Sequence, residues 1–183
     1  VGDVSTVTCA YNDTSTYPLF GDAGTATLLE LSEGNQWSFD LHSDGSGEEA
    51  IKIPHGGMRH LLTEESLIER KREDGNTRSD LHLQLDGLSV FNFSITKVPK
   101  SLNSFLDEIN ADRELIDFFV MHQANKLMNE TIRKKVKFDP MKVPYSLSQY
   151  GNTSSASIPL TIVSELGNQL DVPRNLLLSG FGV

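Results

Sequence analysis

The sequence predicts an α/β fold, because strand-like apolar runs and amphipathic helical segments alternate along most of the chain. The clearest strand is the apolar run at residues 116–121, and a second such run covers residues 176–179. Apolar residues at three- and four-residue spacing predict helices from residue 86 onward and over about residues 125–137. No short-period repeat occurs, so a solenoid is excluded.

The N-terminal part of the chain predicts strands joined by turns. Residues 17–31 read as a Gly-Asp-Ala-Gly turn followed by a strand, and residues 35–41 alternate apolar and polar side chains, as a half-buried strand does. The charged residues 54–80 predict a surface excursion with one short helix. The helix that begins near residue 86 contains Pro99, which predicts a kink or a restart there.

A last helix is predicted for residues 155–166. Thr153 and Ser154 are candidate N-caps because their hydroxyls can accept backbone N–H groups, and Gly167 is a candidate C′ residue.

Composition restricts the class of protein. The chain has 183 residues with 38% hydrophobic and 22% charged, and its net charge of −9 argues against nucleic-acid binding. No apolar stretch is long enough to span a membrane, and no signal peptide is recognisable. The single cysteine, Cys9, excludes an internal disulfide and fits a reducing, cytoplasmic compartment. Both ends look cut, so we expect a fragment of a longer protein.

Positive charge is concentrated in one segment of this acidic chain. Five of the sixteen basic residues lie within a dozen positions, namely Lys126, Arg133, Lys134, Lys135 and Lys137. Such a segment can dock an acidic partner, or it can simply be the solvated face of a helix.

Two polar turns follow extended segments and are the candidate site. They are His122-Gln123-Ala124-Asn125 and Gly151-Asn152-Thr153. In α/β folds such turns gather at one end of the sheet, where an imidazole and an amide can donate to one oxyanion. The alternative is that Asn125 caps a helix and the histidine is a satisfied strand-end residue.

Other chemical groups suggest less. Cys9 has no helix start or glycine turn to lower its pKa, which favours an inert thiol over a nucleophile. His55 and His60 lack helical ligand spacing and a third ligand, so we predict no metal site. The hydrolase and nucleotide-binding motifs G-x-S-x-G, P-loop and G-x-G-x-x-G do not occur.

Six segments in this order strongly resemble the C-terminal half of β-ketoacyl-acyl-carrier-protein synthase III, of the thiolase superfamily. The segments are FGDAGTATLLE (20–30), LHSDGSGEEAIKIPHGG (41–57), DGLSVFNFSITKVP (86–99), HQAN (122–125), YGNTSSASIPLTI (150–162) and LLLSGFGV (176–183). The resemblance implies that residues 1–183 form a thiolase-like half, with a mixed five-stranded sheet and helices on both faces.

The resemblance also implies a reaction that needs no cofactor. The family joins an acyl-CoA primer to malonyl-acyl-carrier protein by decarboxylative Claisen condensation in fatty-acid synthesis. Its catalytic His and Asn fall on His122 and Asn152, whereas its nucleophilic cysteine lies upstream of this chain and does not match Cys9. The fragment alone is therefore expected to be inactive.

Further roles are carried over residue by residue. Asn125 would touch the pantetheine arm, and Phe91, Ser94 and Met128 would line its tunnel. Carrier-protein docking would use Lys126, Arg133 and Lys134, although Leu127 stands where the family keeps a basic residue. The full-length protein would be a homodimer. Alternatives are a 3-hydroxy-3-methylglutaryl-CoA synthase, a chalcone-synthase-like enzyme, or a non-catalytic subunit that binds carrier protein. Primer length and pathway are not readable from these residues.

Overall fold

A computed structural model describes residues 1–34 and 36–182. Its α-helices are α1 (Gly87–Glu108), α2 (Lys126–Val136), α3 (Leu147–Tyr150) and α4 (Ser157–Leu166). Its strands are β1 (Gly2–Asp3), β2 (Ala23–Gly24), β3 (Ile51–Lys52), β4 (Arg70–Lys71), β5 (Thr77–Arg78), β6 (Gln84–Leu85), β7 (Phe118–Met121) and β8 (Leu176–Ser179).

The core is built on the parallel pair β7 and β8. Side chains alternate between the two faces of a strand, so Phe119 and Met121 share one face of β7. They join a buried cluster with apolar residues of α1 and α2, including Leu106 and Ile132. Val120, on the opposite face, is also fully buried, and α4 contacts β7. Helices therefore cover both faces of this pair.

Helix α1 runs through Pro99 without a restart. Proline has no N–H, so the carbonyl of Ile95, four residues earlier, loses its helical partner. The Lys135 ammonium of α2 donates to that carbonyl at 2.7 Å. This contact satisfies the freed group and joins the two helices.

Helix α2 confirms the predicted segment almost to the residue. The Asn125 side chain accepts the N–H groups of Leu127 and Met128, which makes it the N-cap. Lys137 ends the helix in the left-handed conformation, with φ of 63°. The N-cap of α2 thus lies three residues beyond His122.

The caps predicted for α4 are wrong. Thr153 and Ser154 make no side-chain cap, because a 3-10 turn over Ser154–Ala156 precedes the helix and its N–H groups point into that turn. Gly167 is not left-handed either, since the chain continues into a second 3-10 turn. The polar side chain that does cap the turn is Asn152.

The prediction of one five-stranded sheet is wrong for the part of the chain that the structure describes. In the described residues the strands pair two by two, as β1–β2, β3–β6, β4–β5 and β7–β8. A strand needs a hydrogen-bonded neighbour as well as an alternating pattern, and residues 36–41 have none. Asn35, the first residue of that predicted strand, lies outside the described residues. Trp37 and Phe39 are consequently exposed.

Residues 54–80 form the predicted surface excursion, with a short 3-10 helix at Glu64–Leu67 and the β4–β5 hairpin. Arg78 fastens it to the N-terminal loop through a buried ion pair with Asp13, 2.7 Å between Nη1 and Oδ2. Among the helices the structure describes, none is long and apolar enough to cross a membrane.

Candidate active site

His122 lies where the carboxyl ends of β7 and β8 meet. It directly follows β7, and its backbone N–H donates to the carbonyl of Ser179 at the end of β8, at 2.8 Å. Its imidazole stands edge-on to the ring of Phe181, with 5.5 Å between centroids. Parallel strands bring their following loops to one edge, which is where α/β proteins usually build sites.

The His122 imidazole is held as a neutral group. Its Nδ1 lies 2.7 Å from the hydroxyl of Ser157, the first residue of α4. Burial lowers the pKa of His122 to about 4, with a smaller opposing contribution from a backbone contact with Ser154. A neutral imidazole donates from one nitrogen and accepts at the other, so this ring can offer one N–H to a substrate oxygen.

Asn152 is fixed by its backbone to the FGD segment. Its N–H donates to the carbonyl of Leu19 and its carbonyl accepts the N–H of Gly21, both at 2.9 Å. A Cβ on Gly21 would meet the Tyr150 carbonyl oxygen at 2.0 Å, so only glycine allows this approach. Gly151 has φ of +67°, a conformation that side chains disfavour. These glycines therefore place the Asn152 turn.

Ser154 connects the two candidate catalytic residues. Its backbone N–H donates to the Asn152 side-chain oxygen at 2.9 Å, and its backbone also contacts the His122 ring. Ser154 has φ of 50°, left-handed for a residue with a side chain. Because the Asn152 oxygen is occupied, the amide NH₂ is the end of that side chain left to donate to a ligand.

Asp3 anchors this turn from the N-terminal strand β1. Its carboxylate accepts the backbone N–H of Ser155 at 3.0 Å and also the Ser155 hydroxyl. Hydrogen bonds from the side chain and backbone of Ser155 and from the side chain of Ser154 lower the pKa of Asp3. The turn is thus hydrogen-bonded on one side to residues 19–21 and on the other side to β1.

The four residues carried over to the pantetheine arm lie around the start of α2 and its contact with α1. Asn125 is exposed, but its side-chain oxygen caps α2. Phe91 packs against the core cluster that contains Met128, and Met128 itself is buried. The buried Ser94 hydroxyl donates to the Val90 carbonyl. Asn125 is exposed and Phe91 is half-buried, and the pantetheine roles of all four residues stay predictions.

The three basic residues carried over to docking differ in accessibility. Lys126 is exposed beside the Tyr145 ring, with its ammonium 5.8 Å from the centroid, and Lys134 is exposed. The Arg133 side chain is only 12% exposed and donates to both Glu130 oxygens and to the Phe138 carbonyl. Hydrogen bonds from the side chains of Arg133 and Tyr145 lower the pKa of Glu130 to about 2. One N–H on each of the three Arg133 nitrogens is engaged by Glu130 or by the Phe138 carbonyl.

Cys9, His55 and His60, for which the sequence predicted no nucleophilic or metal-binding role, make none of the contacts of this site. Cys9 is buried, and burial raises the pKa of its thiol, which disfavours a nucleophilic thiolate. The His55 and His60 rings stack at 5.4 Å between centroids, and His55 is hydrogen-bonded to Ser66. Within the described ranges no three His, Cys, Asp or Glu side chains form a group that could hold a metal.

Comparisons with known proteins show what this chain is similar to in sequence and in fold. Residues 106–183 match the family model described as 3-oxoacyl-[acyl-carrier-protein] synthase III C terminal. Over these residues the chain is similar to the C-terminal part of synthase III. A β-ketoacyl-acyl-carrier-protein synthase III of Streptococcus pneumoniae strain Hungary19A-6 is 35% identical over 177 residues, 94% of this chain and 51% of the relative. The resemblance to synthase III drawn from the sequence is confirmed.

Solved structures of a 3-oxoacyl-acyl-carrier-protein synthase and of a β-ketoacyl-acyl-carrier-protein synthase III share the fold. The one from Burkholderia xenovorans LB400 has a TM-score of 0.85 at 37% identity, covering all of this chain and 51% of the other. The one from Thermus thermophilus has a TM-score of 0.76 at 25% identity, covering 99% and 53%. The α/β class and the thiolase-like fold are confirmed. The chain spans about half the length of the synthase III relatives it matches.

Sequence reasoning missed three contributors to the site. Ser157, Phe181 and the backbone of Ser154 all touch His122. Each lies more than thirty positions from His122 along the chain. The available signal was Ser157, a hydroxyl directly before the apolar residues at 158–160.

Proposed function

We propose that this chain is the part of a condensing enzyme that holds the malonyl thioester during decarboxylative Claisen condensation in fatty-acid synthesis. The substrates are an acyl-CoA primer and malonyl-acyl-carrier protein, and the chemistry needs no cofactor. The observation that carries the proposal is the pair of polar side chains that Ser154 links, a neutral imidazole and an amide with its NH₂ free to donate.

His122 and Asn152 act as hydrogen-bond donors to the thioester carbonyl oxygen. When the malonyl carboxylate leaves as CO₂, the electron pair of the broken C–C bond moves into the adjacent carbonyl and makes an enolate. Two donors at that oxygen stabilise its negative charge, and each such donor is worth about 10²–10³ in rate. The enolate carbon then attacks the carbonyl of the acyl thioester. The new C–C bond forms, the C–S bond to the acyl-carrying cysteine breaks, and that cysteine leaves as a thiolate.

The acyl group is carried by a cysteine outside residues 1–183. Cys9 does not suit that role, because burial raises its thiol pKa and it lies in the N-terminal loop fastened by Asp13 and Arg78. The remaining synthase III assignments are part of the same proposal. They are pantetheine contact by Asn125, tunnel lining by Phe91, Ser94 and Met128, a homodimer, and a cytoplasmic protein without nucleic-acid or membrane partners.

The test is decarboxylation of malonyl-acyl-carrier protein by the full-length protein. We expect His122→Ala and Asn152→Ala each to lower kcat by about 10²–10³. His42→Ala removes an exposed imidazole outside the site and should leave kcat unchanged. Equal rates for the wild type and both site variants would overturn the assignment.

A second measurement separates an enzyme from a non-catalytic subunit. Incubation of the full-length protein with acyl-CoA, followed by intact mass, should give one covalent acyl adduct. The adduct should form in His122→Ala as well, because acylation precedes the step at His122. A protein that binds carrier protein but never acquires the adduct would be the non-catalytic partner.

A further inference from the structure

Three buried hydroxyls, those of Ser146, Ser157 and Thr161, belong to the segments that pack beside His122. Ser157 is 1% exposed and Thr161 and Ser146 are equally buried. The Ser157 hydroxyl lies 2.7 Å from His122 Nδ1, and the Thr161 hydroxyl lies 2.7 Å from that of Ser146. Nothing in the condensation chemistry described above uses these hydroxyls.

The direction of each hydrogen bond follows from counting protons. A hydroxyl has one proton to donate, and Thr161 donates its proton to the backbone carbonyl of Ser157 at 2.7 Å. Ser146 must therefore donate to Thr161. The backbone N–H of Ser146 in turn donates to the side-chain oxygen of Gln123, the residue next to His122.

The same counting applies to Ser157. Across residues 1–34 and 36–182, its hydroxyl has a single hydrogen-bond partner, His122 Nδ1. If Nδ1 carried the proton and donated it to Ser157, the Ser157 proton would be buried without an acceptor, which is costly. If Ser157 donates to Nδ1, both groups are satisfied.

We infer that Ser157 is a positioning residue that fixes the tautomer of His122, with the proton on Nε2. Nε2 is then the nitrogen that donates to the ligand. The consequence for catalysis rests on the proposed function, whereas the tautomer itself does not. Gln123, Ser146 and Thr161 close a loop of hydrogen bonds that holds the first turn of α4 against the turn after β7.

The tautomer can be measured directly by NMR. In the full-length protein labelled with ¹⁵N-histidine, long-range ¹H–¹⁵N correlations at neutral pH distinguish a proton on Nδ1 from one on Nε2. We expect wild-type His122 to be the Nε2–H tautomer. Ser157→Ala should convert it to a mixture, and Ser157→Thr, which keeps a hydroxyl, should retain Nε2–H.

A matched control is available at a second buried serine. Ser66 also lies 2.8 Å from a histidine Nδ1, that of His55, and is fully buried. Ser66→Ala should alter the His55 signals and leave those of His122 unchanged. A wild-type His122 protonated on Nδ1, or one whose tautomer does not respond to Ser157→Ala, would overturn the inference without requiring any activity.

Kinetics separate this inference from the proposed function. Ser157→Ala should lower kcat for malonyl decarboxylation about tenfold, less than loss of the donor itself, with KM little changed. Ser157→Thr should recover most of that loss. An Nε2–H tautomer in a protein with no decarboxylase activity would refute the proposed function and leave the role of Ser157 standing. A tenfold fall in kcat without a change of tautomer would contradict the positioning role.

Discussion

His122 shows why an imidazole follows an apolar strand. Residues 119–121 are fully buried, and the ring that follows them is largely removed from water. Removing a titratable group from water disfavours its charged form, so burial sets the neutral state. The Ser157 hydroxyl then meets the hydrogen-bonding need of Nδ1. The result is an uncharged donor that is pre-oriented by packing.

This depressed pKa predicts a pH dependence of stability. The folded pKa of about 4 lies below the unfolded value of 6.5, so the unfolded state binds more protons between these values. The stabilisation is complete above about pH 6.5 and is lost as pH falls toward about 4. We expect the wild type to lose more free energy of unfolding than His122→Ala between about pH 7.5 and 5.

Urea unfolding at both pH values measures that difference. The exposed His42→Ala serves as the comparison and should follow the wild type. Parallel pH profiles for the wild type and His122→Ala would mean that His122 is charged, or equally hydrated, in the folded protein.

Helix α2 combines two faces with different tasks. Met128, Ile132 and Val136 are buried in the core cluster, whereas Lys126 and Lys134 are exposed. Arg133 resembles them in sequence but is tied to Glu130 and the Phe138 carbonyl. Exposed cations near a binding site steer acidic partners, and such steering weakens with salt.

Docking is predicted for Lys126, Arg133 and Lys134, and the two exposed lysines are the residues at which it can be tested without breaking the Glu130 contact. Reversing both charges, Lys126→Glu and Lys134→Glu, in the full-length protein should raise KM for the carrier-protein substrate several-fold at low salt, with kcat little changed. Lys71→Glu reverses an exposed charge on the β4–β5 hairpin and should have no such effect. An unchanged KM at low salt would show that the α2 lysines are only a solvated helix face.

At the scale of the whole molecule, the described chain exposes a large apolar surface. Six large side chains are exposed in the stretches 28–34 and 36–41, namely Leu28, Leu29, Leu31, Trp37, Phe39 and Leu41. Leu31 reaches 104% and Leu41 89% of full exposure. So many exposed large apolar side chains within one segment favour a surface that other protein covers.

We therefore expect residues 1–183, prepared alone, to self-associate or to be of low stability. Size-exclusion chromatography should show oligomers, and the triple change Trp37→Ser, Phe39→Ser and Leu41→Ser should shift them toward monomer. Tyr11→Ser removes an exposed aromatic outside this segment and serves as the control. A stable, monodisperse wild-type monomer would contradict the expectation.

Sequence patterns predicted the elements that are stabilised locally or buried on their own apolar face. Strands β7 and β8 and helix α2 lie where periodicity placed them, and the Asn125 cap was visible in the sequence as a polar side chain at the helix start. The strand over residues 36–41 failed because a ladder partner is not a local property. Pro99 remained inside a helix because Lys135, on another element, satisfies the carbonyl it frees.

By itself the sequence determined the α/β class, the bounds of α2, and the selection of His122 and Asn152 as the candidate catalytic residues. Only the tertiary structure brought Ser157 to Nδ1, placed Ser154 between the two side chains, and occupied Arg133 with Glu130. The physical reason is the distance along the sequence over which each interaction acts. Periodicity and caps depend on neighbours within a turn or two, whereas hydrogen-bond partners and burial depend on residues that meet only when the chain folds.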